Sequence, residues 1–532
     1  MNDEHPGDPT PPIPTSSSAG DDSPAGADAP ARDPRPRARV TRHSRRHRVR
    51  RRRLITIAAI LGLVAVAVAV AGIGLAAQSD DALRGPQAAV TTAPGDGVTV
   101  AGSAPSTGPA AGAPSTAANT TTTVAPGPPH VLTVKTDPKK AHLTVHLSDG
   151  TTLEGTTPFK KTVPGGRITL TLSATGRNDA TRELNLNKDR AVTVLLDPKG
   201  LLHRSIGRFT TGSNPKQVAF TPDGREIWAS LLGGHGLQVF DRGGAKLDDI
   251  TLGTKGGAVE VIFTRDGTTA YASQMETASV FEIDRVNRKV LRQLPTKGVW
   301  TKVLILSPDE KTLYAANWSS NDVSEIDLAT GTVLRRIPTV ATPRGLYITP
   351  DGARMYVAGY DNGEIQRIDL STGKGKVLLK TGGAMRHMVG NAEGTRLYAD
   401  DMAKDVVFVV DLATDAVTQL AKTDEKPNTI DLTPDGRVLY VSCRGENGSS
   451  YYLPGPEWGS VVAIDAESGR VLDAMVGGNQ CTGLDVSPDG KMLAFSDFLD
   501  NKVRLYAIPP TQTLLDGDGG RATTHLADIL KN

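Results

Sequence analysis

From residue 200 onward the chain repeats itself, and no other feature restricts its fold as tightly. An Asp-Gly-like turn recurs as Asp223-Gly224, Asp266-Gly267, Asp309-Glu310, Asp351-Gly352, Glu393-Gly394, Asp435-Gly436 and Asp489-Gly490. The spacing is about 42 residues, lengthened once by about twelve before the last mark. A second column of Trp228, Tyr271, Tyr314, Tyr356, Tyr398 and Tyr440 follows the turns, with Ala494 in the seventh unit. Asp241, Asp284, Asp327, Asp369, Asp411 and Asp465 make a third. Each unit has room for four short strands; in the third they fall at 302–306, 313–316, 321–326 and 332–337. That is the size of a propeller blade. A single blade cannot bury both faces, so the units must stack on one another. The predicted fold is all-β, with a seven-bladed β-propeller over residues 200–510. Its seventh unit offers only three strands before Pro509-Pro510. An orphan strand at 202–210 is expected to complete it and latch the ring, which removes the open sheet edges.

The 532-residue chain carries a net charge of +2 that conceals a polar asymmetry. Residues 1–53 are rich in Pro, Ser and Asp and end in an Arg cluster; they read as a disordered cytoplasmic segment. Residues 54–78 form an uncharged apolar run long enough to span a bilayer core of roughly 30 Å. A cleaved signal peptide has a shorter core and a shorter basic start, so a transmembrane signal anchor is the favoured reading. With the Arg cluster held inside, everything beyond it lies outside a plasma membrane crossed once. The cluster is better explained as a topology signal than as a nucleic-acid site. Residues 79–129 are an Ala/Thr/Pro/Gly-rich linker, and 511–532 read as a tail.

Residues 130–198 change texture to short alternating strands, such as 130–134, 141–147, 167–172 and 191–196, parted by Asp149-Gly150, Pro164-Gly165-Gly166 and Thr175-Gly176. A small antiparallel β-sandwich is predicted. Pro138-Lys139-Lys140-Ala141, Gly155-Thr156-Thr157-Pro158, Pro164-Gly165 and Gly176 resemble the motifs of a PEGA domain. The resemblance implies a wall- or surface-associated β module without catalysis. In the repeat region, Tyr314-Ala315-Ala316-Asn317, Asn321-Asp322-Val323-Ser324-Glu325-Ile326-Asp327 and Thr342-Pro343-Arg344-Gly345-Leu346 resemble the YVTN family of β-propellers, which includes YncE-like surface and periplasmic proteins. That resemblance is specific for the fold. Members of the fold include lactonases, lyases, redox enzymes and binding proteins, so function rests on the site.

The loops entering the inner strands share one face of such a ring. Their column reads Lys216, Val259, Lys302, Arg344, Arg386, Asn428 and Thr482, with His387 beside Arg386 and Trp300, Trp318 and Tyr360 nearby. A cationic, aromatic channel mouth suits an anionic ligand; merely solvated cations are the competing reading. The sixth unit carries the extra residues at 444–459, a loop with Tyr451, Tyr452 and Trp458. It is either a recognition loop or a cap on the channel. Cys443 and Cys481 fall at the same end of adjacent blades, and a disulfide is favoured over two free thiols. The predicted binding set is Lys216, Lys302, Arg344, Arg386, His387, Asn428, Trp318, Tyr451, Tyr452 and Trp458. No catalytic residue, metal site or cofactor is assigned: the propeller histidines His203, His235 and His387 form no converging ligand set, and no nucleophile elbow or phosphate loop occurs. Glu260, Asp400 and Asp401 are the acids expected to approach the channel.

The reading that emerges is a membrane-anchored extracytoplasmic binding or scaffold protein of the cell envelope, not an enzyme. Its partner is an envelope protein or anionic wall polymer. The alternative is a lactonase- or lyase-type propeller enzyme centred on His387, Arg344 and Arg386. A sensor role finds no kinase or DNA-binding pattern in the cytoplasmic part.

Overall fold

The computed structural model describes residues 127–253, 255–518 and 520–531. The predicted cytoplasmic segment, the apolar anchor and all but the end of the linker lie outside the described residues. Among the described residues no helix is long and apolar enough to cross a membrane.

The first described strands are β1 (Gly127–Asp137), β2 (His142–His146), β3 (Thr152–Thr156), β4 (Phe159–Ser173), β5 (Ala180–Leu186) and β6 (Arg190–Leu195). β4 has 15 residues and serves two partners. Its first half pairs with β1, its second half with β2 and β5. The change falls at Pro164-Gly165-Gly166. A Cβ on Gly165 would lie 2.7 Å from the Pro128 carbonyl oxygen and 2.8 Å from that of Leu186, so only glycine lets the strands meet there. Leu132, Val134, Leu143, Val145, Ile168, Leu170, Leu172 and Leu186 fill one apolar core. The sandwich is not wholly antiparallel as expected: β1 and β6 run parallel, because the chain crosses over β4 and β5 before returning to β1.

Seven four-stranded antiparallel sheets follow. In six of them the strands are consecutive. In the seventh, strand Arg204–Thr210 pairs with Lys502–Ala507, Phe209 standing opposite Val503. The ring is closed by chain from both of its ends. Within a blade the burial pattern explains the sequence pattern. The second strand is buried on both faces, as in Thr312–Asn317, whereas the fourth alternates, as in Thr332–Pro338. The Trp/Tyr column lies between blades: the Tyr398 hydroxyl donates to the Ala466 carbonyl of the following blade at 3.1 Å.

The repeat mark is a self-capped turn. Thr221 Oγ1 donates to Asp223 Oδ1 at 2.6 Å, and the same oxygen accepts from the Arg225 amide at 3.1 Å. Gly224, at φ 65°, completes the turn. Such an Asx-type turn needs a short acceptor followed by a residue that tolerates positive φ.

The C-terminal residues do not trail away. Helices α1 (Thr511–Asp516) and α2 (Leu526–Ile529) pack back onto blade six. Leu514 joins a core with Leu201, Leu472 and Tyr506. Asp473, on the fourth strand of blade six, accepts from the amides of Leu202, His203 and Arg521. One buried carboxylate therefore ties down both the chain entering the propeller and the chain leaving it. The His203 ring bridges Asp473 and the Tyr440 hydroxyl, each at 2.8 Å.

Candidate functional site

Every inner strand is irregular at the same point. In blade three Thr301 faces Asn317 and Leu304 faces Ala315, so Lys302 and Val303 together oppose one residue. The shift recurs in blades two, four, five and seven, and in blades one and six a single residue, Lys216 or Asn428, is skipped. These are β-bulges, which re-aim side chains and leave backbone groups unpaired. The predicted entry column sits in them. The bulge explains why one sequence column points together at the channel mouth.

The second strand satisfies the bulge. Ser230, Ser273, Ser442 and Ser496 each accept from a bulge amide of their own blade. The first three also donate to the entry-column carbonyl of the next blade. In blade five that serine position is Asp400. Its Oδ1 accepts from the His387 amide at 2.7 Å, while its Oδ2 has no partner among the described residues. Burial raises its pKa to about 7. A second set of staples crosses the blade seams: Gln217 to the Val261 amide, Glu260 to Leu304, Asp431 to Val486 and Asp485 to Phe220.

His387 belongs to this set. Its Nδ1 lies 3.2 Å from the Ile430 carbonyl and 3.5 Å from the Ile430 amide of the next blade, so it donates in one tautomer and accepts in the other; the shorter contact, to the carbonyl, favours the proton on Nδ1 with Nε2 the acceptor. Burial, and after it Arg344, lowers its pKa to about 4, so the ring is neutral. Glu260 is pushed up to about 8 by burial and stays protonated at neutral pH.

The cations are buried, not splayed into solvent. Lys216, Lys302, Arg344 and Arg386 are each less than 10 % exposed. Aromatic faces take the place of water around them. Lys302 Nζ lies 3.6 Å from the centroid of Trp318, and Arg344 shares that ring from 5.1 Å. Arg386 is 5.9 Å from Tyr360 and donates to the Met402 sulfur at 3.2 Å; its Nε has no partner among the described residues. Lys216 Nζ donates to the Tyr451 hydroxyl at 2.8 Å. Burial first, then Arg386, Arg344, Arg444 and Lys302, hold the Lys216 pKa well below the usual lysine range. Lys216, Glu260, Arg344, His387 and Asn428 line one cavity of about 40 Å³, room for a few waters.

Two of the predicted aromatics from the long loop reach this mouth. Tyr451 lies under the Arg444 guanidinium, 4.1 Å from ring to carbon, and packs on Phe498. Tyr452 leans on the same pair and is half exposed. Trp458 is claimed by the C-terminal tail instead: its amide donates to the Ile529 carbonyl at 2.7 Å and Lys531 covers its ring. Asn428 spans to the Thr482 carbonyl of blade seven at 3.0 Å. The expected disulfide is corrected. Cys443 and Cys481 are free thiols, both buried; Cys481 turns to Asp497 Oδ1 at 3.5 Å and Cys443 to its own strand. The backbone of Gly459 packs against both residues. Among the described residues no three His, Cys, Asp or Glu side chains converge as a metal site would require.

Arg444 and Phe498 escaped the sequence reading because they stand outside the entry column. The serine column, read across blades, would have exposed Asp400 as its one acidic member. Arg444 had no such signal: only the fold of the long loop brings it over the mouth.

The model of the lactonase, seven-bladed β-propeller family matches residues 232–521, more than half of the chain. The chain belongs to this family. Antigen Lp49 of Leptospira interrogans serogroup Icterohaemorrhagiae serovar copenhageni is 34% identical over 353 residues, covering 64% of this chain and 77% of that protein. Among solved structures, a chain of Kuenenia stuttgartiensis hydrazine synthase is similar with a TM-score of 0.48 and 20% identity, covering 56% of this chain and 97% of that one.

Proposed function

We propose that this lactonase-family propeller hydrolyses a small anionic lactone at the mouth of its channel. One observation carries the reading: Lys216, Arg344, Glu260, His387 and Asn428 line one small recess, open at the channel mouth, inside a ring of cations. A buried cationic site favours an anion and strengthens as the ring dipole of the ester polarises. His387 Nε2 is the acceptor suited to take a proton from the attacking water. Water adds to the lactone carbonyl as His387 Nε2 takes its proton, the ring C–O bond breaks, the leaving oxygen receives that proton as a hydroxyl, and the new carboxyl ionises while the product keeps its anionic group.

Proton release in a pH-stat, with a panel of anionic five- and six-membered lactones, tests this. Saturable turnover by the full chain is expected, reduced at least about tenfold in Arg344→Met with Tm maintained. No turnover above buffer with any member overturns it.

A second reading rests on a different observation. The cavity is small, Tyr451 stands in the mouth, and Tyr452 and Leu453 are about half exposed above it. That arrangement also suits a non-catalytic receptor whose upper face takes an anionic wall polymer. The Arg-rich and apolar N-terminal segments, the PEGA-like motifs and the YVTN-like repeats support a single-pass envelope setting for it. Co-sedimentation with purified wall polymer, lost on deleting 451–458 and unaffected by Arg344→Met, is the outcome that favours this reading over the first.

A further inference from the structure

Lys216 differs in kind from its neighbours in the ring. The charge of Lys302 is met by the Trp318 face. Lys216 has a phenol for its hydrogen-bond partner, at 2.8 Å, and its ring contacts are looser, 5.4 Å to the Tyr451 centroid and 5.5 Å to that of Phe498 against 3.6 Å from Lys302 to Trp318. No carboxylate lies within ion-pair distance of it among the described residues. The groups facing it from the surrounding blades are cations: Lys302 in blade three, Arg344 in four, Arg386 in five and Arg444 on the long loop of six. Glu260 and His387, in the same cavity, offer no compensating charge, since one holds its proton and the other lacks one. Burial and like charge both favour the free amine over the ammonium. A desolvated lysine beside other cations is the environment that makes an amine nucleophilic.

We propose that Lys216 is a nucleophilic amine that condenses with small carbonyl compounds carrying an anionic group, drawn in by the surrounding arginines. The nitrogen lone pair forms a C–N bond to the carbonyl carbon as the C=O π pair moves to oxygen. A proton passes from nitrogen to that oxygen, giving a carbinolamine. Loss of water then gives the imine, so amine and carbonyl yield imine and water with no oxidant or reductant consumed. The proposal rests on the channel geometry and stands whether or not lactones are hydrolysed.

The test is reductive trapping with glyoxylate and cyanoborohydride on the full chain, read by peptide mass spectrometry as carboxymethyl-lysine. At pH 7 Lys216 is expected to be modified about tenfold or more faster than exposed lysines such as Lys311. With Glu260→Gln removing the neighbouring acid that titrates at about 8, its rate should change little between pH 7 and 9, whereas an ordinary exposed amine speeds up as it loses its proton. Excess phosphate should protect Lys216 and leave Lys311 unaffected. Tyr451→Ala serves as the open-mouth control. Trapping confined to that variant still supports the amine and makes Tyr451 its gate. A Lys216 rate that climbs with pH in parallel with Lys311, or no trapping in either protein while the urea-unfolded chain reacts, overturns the proposal.

Discussion

Arg386 carries its charge into the propeller with a methionine sulfur and a distant phenol for company. A buried cation outside any ion pair costs stability even with the Asp400 carboxyl near enough to act on it electrostatically, and an apolar replacement of similar length relieves that cost. Arg386→Met is therefore expected to raise Tm in calorimetry while weakening the binding of a small anion such as phosphate in titration calorimetry. A lower Tm would mean that the guanidinium is structurally required. Glu260 makes the second residue-scale prediction. Its folded pKa, about 8, lies above the ordinary value of 4.5, so the native state keeps a proton that the unfolded chain releases. Its contribution is complete below about 4.5 and is lost as pH rises toward 8. Lys216 acts with the opposite sign, its penalty fading as pH climbs toward the lysine range. Urea melts of wild type and Glu260→Gln isolate the acid: the variant should gain relative stability from pH 5 to pH 8. The repeat made the cationic column readable, because aligned residues in aligned units must share a position. The protonation of Glu260 and Lys216 was not readable, since burial is a property of the assembled ring.

At the scale of elements, the bulged inner strands explain both the site and the tightness of the seams. A Cβ on Gly483 would lie 2.7 Å from Gln217 Cα, with backbone on both sides of the seam between blades seven and one. Gly483→Ala should cost about 1–3 kcal/mol in urea unfolding, as overpacking of a rigid contact does. The C-terminal tail is a second element with a task. It is pinned to the loop at 444–459 by the Trp458–Ile529 hydrogen bond, by the Lys531 ammonium on the Gly455 carbonyl at 2.7 Å, and by the bridge between Glu457 and Leu530. His525 anchors the same tail to Asp424 at 2.8 Å, which also holds Ser460. Removing 521–531 should speed hydrogen exchange at Trp458 and open the loop to protease, with exchange in blades two and three unchanged. The loop stood out in the sequence by its length. Its dependence on the tail did not, because the two meet only after the ring has closed.

For the whole molecule, closure is the decisive event. Strand Arg204–Thr210 is the fourth strand of a blade whose other three strands lie almost three hundred residues away. Deleting 201–210 leaves an open sheet edge and frees the three-amide clasp at Asp473. A lower Tm and concentration-dependent association in light scattering are the expected result; a monomer with unchanged Tm would show that the three remaining strands of blade seven hold the ring without the fourth.

Period and turn chemistry, both local, were enough to determine seven units, their register and the orphan strand that completes them. The aligned column of cations came with the period, for the same reason. Only the tertiary structure decided that those cations are buried, that His387 and Asp400 serve as blade staples, that the two cysteines remain thiols, and that Tyr451 stands at Lys216. Each of these depends on which groups from distant units exclude water from one another, and the repeat alone carries no information about that.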